Sequence, residues 1–162
     1  MRDVLKVIVD LDVATIAKWY RKRDRRLESS QKFLERIERG EFSLAVPDTF
    51  LEILRLWEYG DLSESVRSWY EANARFVIPS GEAVKKVAVK TGFSEEVLIE
   101  KFALEANMKK EDAFLVLIGT GSEIAYIVTW NKAHLRDKRE KIEQIGARFG
   151  LRVPRIIFPT EI

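Results

Sequence analysis

The stretch VIVDLD, residues 7–12, decides how this chain is read: an apolar run opens near the N-terminus and closes on two carboxylates, Asp10 and Asp12. Val7, Ile8 and Val9 are β-branched in succession. An unbroken run of this kind favours a strand buried on both faces, inside a parallel sheet covered by helices. The acids then stand at its carboxyl end, and in open α/β sheets the crevice outside the carboxyl ends of the strands is where ligands bind. The plainer explanation is that Asp10 ends the strand and Asp12 caps the next helix. The rest of the chain decides between the two.

The 162 residues suit a single domain, residues 1–162, with a core of its own. Hydrophobic residues make up 46% and charged residues 33%, with 28 Lys and Arg against 26 Asp and Glu, so the net charge of +2 does not by itself demand an anionic partner. There is no cysteine, which removes disulfides, thiolate metal sites and cysteine nucleophiles and fits a reducing cytoplasm. His134 is the only histidine, which argues against a histidine triad or a His-rich metal site. Any metal would then be a hard cation held by oxygen. No stretch reads as a signal peptide or as a membrane span.

Outward from VIVDLD, the pattern alternates strands and helices. Residues 13–27 read as an amphipathic helix, with Lys18, Arg21, Lys22, Arg25 and Arg26 on its polar face and Asp24 as a place for a break. Ser29 and Ser30 offer a cap for a second helix that stops at Gly40. A strand at 42–46 ends at Pro47. The next helix, 49–59, is apolar nearly all round and is expected to be largely buried. A helix from Asp61 or Ser63 through Tyr70 precedes a strand at 75–78. Helices follow at 82–90, from Ser94 to about Met108, and at 109–119, then a strand at 124–129, a charged helix at 132–148 and a last strand at 155–158. Strands separated by helices, without hairpin signals, predict a parallel sheet in an α/β sandwich. Trp19, Trp57 and Trp69 read as core or interface residues.

Four oxygen-bearing residues stand at the edges of otherwise apolar elements: Asp10, Glu52, Asp112 and Asn131. Each has a plain explanation. Glu52 fits a narrow solvent stripe with Arg55 and Tyr59, Asp112 a helix cap, and Asn131 a turn. A buried, unpaired carboxylate would take up a proton, whereas a divalent cation would keep it ionised.

In its order this set resembles the PIN-domain family, and within it the VapC-like toxin ribonucleases. VIVDLD matches the strand ending in Asp, PDTFLEILRL the Glu in the helix after the second strand, and KKEDAFLVLIG the Asp-Ala that opens a buried helix. IVTWNKAHL matches the last segment, at Thr129, Asn131 and His134, and the final strand with Pro159-Thr-Glu is similar to the family's end. Asn131 departs from the pattern by replacing the fourth acid, and Asp12 by standing where a small polar residue is usual. An amide oxygen can still ligate a hard cation or hold its water.

The resemblance implies a three-layer α/β/α sandwich with a central, mostly parallel sheet, and hydrolysis of single-stranded RNA dependent on Mg²⁺ or Mn²⁺. It implies Asp10, Asp112 and Glu52 as metal ligands, Asn131 and Thr129 as groups that orient water or metal, and Asp12 as a possible additional acid. Substrate phosphates would be met by Lys18, Arg21, Lys22, Arg25 and Arg26, with His134 beside them; an ordinary solvated helix face explains the same basic residues. A small antitoxin protein, a homodimer and a cytoplasmic setting without membrane contact belong to the same implication. Two other readings stand beside it. DLDVAT is similar to the opening of haloacid-dehalogenase-like phosphatases, with Asp10 as nucleophile and Glu111-Asp112 as the later acidic pair; Ala14 and Glu52 do not fit that pattern. Alternatively, Asn131 marks a degenerate PIN-like domain kept for binding RNA or a protein.

Overall fold

Val7, Ile8 and Val9 are fully buried in the middle strand of the sheet, as their unbroken apolar run predicts. The computed structural model describes residues 4–19 and 23–162; Tyr20, Arg21 and Lys22 lie outside the described residues. The elements are β1 (Lys6–Val9), α1 (Leu11–Trp19), α2 (Leu27–Glu38), β2 (Ser43–Pro47), α3 (Asp48–Leu56), α4 (Asp61–Asn73) and β3 (Phe76–Ile78). They continue with α5 (Ser80–Thr91), α6 (Glu95–Glu105), α7 (Lys110–Gly121), β4 (Tyr126–Val128), α8 (Arg139–Arg148) and β5 (Arg155–Ile157). All five strands are parallel, in the order β3-β2-β1-β4-β5.

The chain steps from β1 outward to β2 and β3, then returns through α5, α6 and α7 to β4 on the far side of β1. Right-handed crossovers send the helices of the outward run to one face and those of the return to the other. The packing agrees: α1 meets α2 and α4, and α3 meets α4, while α7 meets α5 and α6, and α6 meets α8. The result is a three-layer α/β/α sandwich whose strand order reverses between β1 and β4. That switch point is where a crevice opens at the carboxyl ends of the strands.

Several local expectations change. Within the span expected over 13–27, α1 is described to Trp19 and the break comes at Asp24, where the expectation offered one: α2 starts at Leu27 after a turn in which the Asp24 carboxylate accepts hydrogen bonds from the Arg26 backbone N–H (2.9 Å) and guanidinium. Ser29 and Ser30 lie inside α2 rather than capping it. In α3 only Phe50 and Leu54 are buried, and Leu56 is 82% exposed. This helix packs on β2 and α4 from one side, so its opposite apolar face stays open despite its composition. The charged helix begins at Arg139, because the Arg136 N–H is taken by the Asn131 carbonyl (3.0 Å) and the Asp137 N–H by that of Lys132 (2.8 Å) in a preceding turn. The helix expected to stop at Gly119 runs on to Gly121. Two boundaries hold as expected: Ser94 caps α6 by accepting from the Val97 N–H (3.2 Å), and Gly92 ends α5 in the left-handed region at φ 78°. Trp69 is buried, Trp57 half-buried and Trp19 exposed. Among the described residues no helix is long and apolar enough to cross a membrane.

Candidate functional site

The reversal in strand order brings the end of β1 beside the end of β4, and with it Asp10 beside Thr129. The Asp10 backbone N–H continues the ladder to the Val128 carbonyl at 2.8 Å, so the residue is held as an extension of the sheet. Its carboxylate accepts from the Leu11 N–H at 2.8 Å and from the Thr129 hydroxyl at 2.8 Å. Thr129 is fully buried, and its oxygen in turn accepts from the Asn131 N–H at 3.0 Å. Asp12, in the first turn of α1, accepts from the Trp130 N–H with both oxygens, at 3.2 and 3.1 Å, and lies 3.4 Å from the same Thr129 hydroxyl. A hydroxyl has one proton to give, and the shorter bond to Asp10 claims it.

Asp112 enters from the first turn of α7 and accepts from the Asn131 amide N–H at 3.2 Å, while the Asn131 side-chain oxygen accepts from the His134 N–H at 3.1 Å. Both partners set the amide's orientation. Turning it over would face oxygen to carboxylate and N–H to N–H. Asn131 therefore tethers Asp112 and shapes the following turn, and its oxygen is already engaged. The His134 Nδ1 is buried without a hydrogen-bond partner.

Electrostatically the cluster is acidic and poorly compensated. Asp10, Asp12 and Asp112 form no ion pair among the described residues. Burial raises the Asp10 pKa above the ordinary aspartate value, against the opposing hydrogen bonds from Thr129 and Leu11. Asp12 is pushed up to about 7, first by burial and then by the charge of Asp10. Burial also raises Asp112, which the Asn131 hydrogen bond partly offsets. Beneath the cluster the Tyr70 hydroxyl donates to the Val9 carbonyl, and its own pKa is raised by burial and by the two aspartates. The Arg26 guanidinium is held by the Asp24 carboxylate, at 3.1 and 3.0 Å.

Thus one hydrogen-bonded chain joins Asp10, Asp12, Thr129, Asn131, Asp112 and the His134 backbone. Glu52 is not part of it: exposed on α3, it makes no hydrogen bond or ion pair among the described residues. Arg25 and Arg26 are exposed, Lys18 lines a polar groove with Asp61 and Glu64 of α4, and Arg21 and Lys22 lie outside the described residues. Tyr70 and Ser30 escape a sequence reading. Tyr70 sits at core spacing in α4, and Ser30 accepts from the Trp130 indole at 2.8 Å across 100 residues of chain. Trp130 also stacks on Phe158 with ring centroids 5.6 Å apart, which anchors the loop after β4.

Half-buried carboxylates with no ion-pair partner among the described residues are donor chemistry that a hard divalent ion satisfies. The fit is partial in number, because among the described residues no three His, Cys, Asp or Glu side chains converge closely enough to hold a metal ion. Magnesium-type ions are commonly held by one or two carboxylates and complete their shell with water and substrate oxygens. Compared with known proteins, the chain matches no family model and no curated sequence.

Proposed function

We propose that this protein is a divalent-cation-dependent ribonuclease of the PIN type that hydrolyses phosphodiesters of single-stranded RNA. The observation that carries the reading is the pair Asp10 and Asp12, half-buried at the strand-order reversal with no cation paired to it among the described residues. Asp10 and Asp112 are the residues that would hold Mg²⁺ or Mn²⁺, with Asp12 adding charge and tying down the loop through Trp130. When bound, such an ion offsets charge at the phosphate and makes water a better proton donor. The Thr129 hydroxyl fixes the Asp10 carboxylate by donating to it, and the Asn131 amide does the same for Asp112. Glu52, exposed on α3, stays outside this hydrogen-bonded set. The exposed Arg25 and Arg26 would meet substrate phosphates. In the same reading the open apolar side of α3, with Ile53 and Leu56, serves a homodimer or a small antitoxin chain.

The test is incubation of single-stranded RNA with the protein, with and without Mg²⁺ or Mn²⁺, beside Asp10→Asn and a small phosphomonoester. Metal-dependent cleavage is expected, reduced roughly a hundredfold or more in the variant. Cleavage that survives both chelation and Asp10→Asn would sink the assignment. Turnover of the monoester alone would point to a phosphatase, and RNA binding without cleavage to a degenerate binding domain.

A further inference from the structure

At the opposite edge of the sheet from Asp10, a cleft of about 910 Å³ opens where β4 and β5 begin. Lys86 and Lys90 of α5, Arg152 of the loop before β5 and Arg155 at its first residue line it, against the single carboxylate of Glu123. None of these four cations forms an ion pair or a side-chain hydrogen bond among the described residues. This concentration stands out on a chain whose overall charge is only +2. Lysines near the end of α5 also complement that helix's dipole. Arg152 and Arg155 stand on no helix, so dipole compensation leaves them unexplained. Leu5 and the half-buried Tyr126, whose ring packs partly against the core, line the same cleft.

Unpaired guanidinium and ammonium groups recognise phosphate, and an aromatic face at their side recognises a base. We propose that this cleft binds a nucleoside phosphate, either as a free nucleotide or as the terminal nucleotide of an RNA strand. The proposal does not depend on hydrolysis at Asp10.

The test is titration calorimetry of the full chain in chelator at low salt. Its probes are adenosine 5′-monophosphate, inorganic phosphate, and RNA oligonucleotides with and without a 5′-phosphate. Saturable nucleotide binding is expected, tighter than that of inorganic phosphate and weakening with salt. The double variant Lys90→Glu/Arg155→Glu, at two exposed positions, should lose roughly tenfold or more in affinity. Tyr126→Ala should weaken the nucleotide and leave phosphate unchanged, and Asp10→Asn should bind as the parent does. Arg152→Gln, on a loop, repeats the charge test should the double variant melt without cooperativity. A preference for 5′-phosphorylated over 5′-hydroxyl RNA assigns the site to a chain end, and a preference for the mononucleotide assigns it to a free ligand. Absence of saturable nucleotide binding, affinity unchanged in the charge variants, or a nucleotide bound no tighter than phosphate would overturn the proposal.

Discussion

Asp12 is the residue whose role the fold alters most. From sequence it is a helix-capping acid or an extra carboxylate; in space it bridges α1 to the loop after β4 through the Trp130 N–H. Its carboxyl titrates near 3.8 in an unfolded chain and is raised to about 7 when folded. As pH rises between those values the unfolded chain releases a proton that the native protein keeps, so stability of the metal-free protein falls across that window. Above pH 7 the loss is complete. Asp10 is shifted in the same direction and deepens the effect. Asp12→Asn should therefore match the parent near pH 4 and exceed it by about 2–4 kcal/mol near pH 8. Urea denaturation at the two pH values checks this. Parent stability that is flat or rising over the window would contradict it.

At the scale of elements, the close approach of α5 and α7 depends on a missing side chain. A Cβ on Gly121 would overlap the Ala83 carbonyl of α5, and one on Gly119 would lie 2.6 Å from Pro154. Read along the chain, the Gly-Thr-Gly at 119–121 looks like a helix stop, yet α7 continues through it, and its glycines admit the Pro154 ring at 119 and the Ala83 backbone at 121. Gly121→Ala should cost about 3 kcal/mol or more, since a backbone carbonyl cannot swing aside as a side chain can. Gly81→Ala in α5, with nothing within 4 Å of the added carbon, should be neutral or stabilising by up to about 1 kcal/mol. The difference in their urea midpoints checks the contact. The start of α8 went unread for a related reason. The Asn131 side-chain oxygen accepts from the His134 N–H, as the Asp24 carboxylate accepts from the Arg26 N–H at the break expected before Leu27, and periodicity does not register such local bonds.

For the whole molecule, folding gathers half-buried aspartates at the carboxyl end of the central strands, and a bound cation would offset their charge. Divalent ions should therefore stabilise the native state by about 2.7 kcal/mol at a hundredfold excess over Kd. The shift in thermal midpoint should be larger near pH 8 than near pH 5, because the aspartates must release protons to bind. It should vanish in Asp10→Asn; a shift that persists there would move the cation elsewhere.

The chain's local chemistry determined the alternation of strands and helices, the buried parallel character of β1, and the apolar settings of Asp10 and Asp112. Apolar runs, β-branching and punctuation by proline and glycine act over a few residues and need no distant partner. Only the tertiary structure decided which polar groups meet. Thr129 reaches Asp10 across 119 residues, and Asn131 reaches Asp112 across 19. Glu52, with an equally suggestive sequence context, stays exposed outside their hydrogen-bonded chain. The direction of each crossover sets which loops share an edge, and burial then sets how strongly the acids gathered there resist ionisation. Neither property belongs to any short stretch of the sequence.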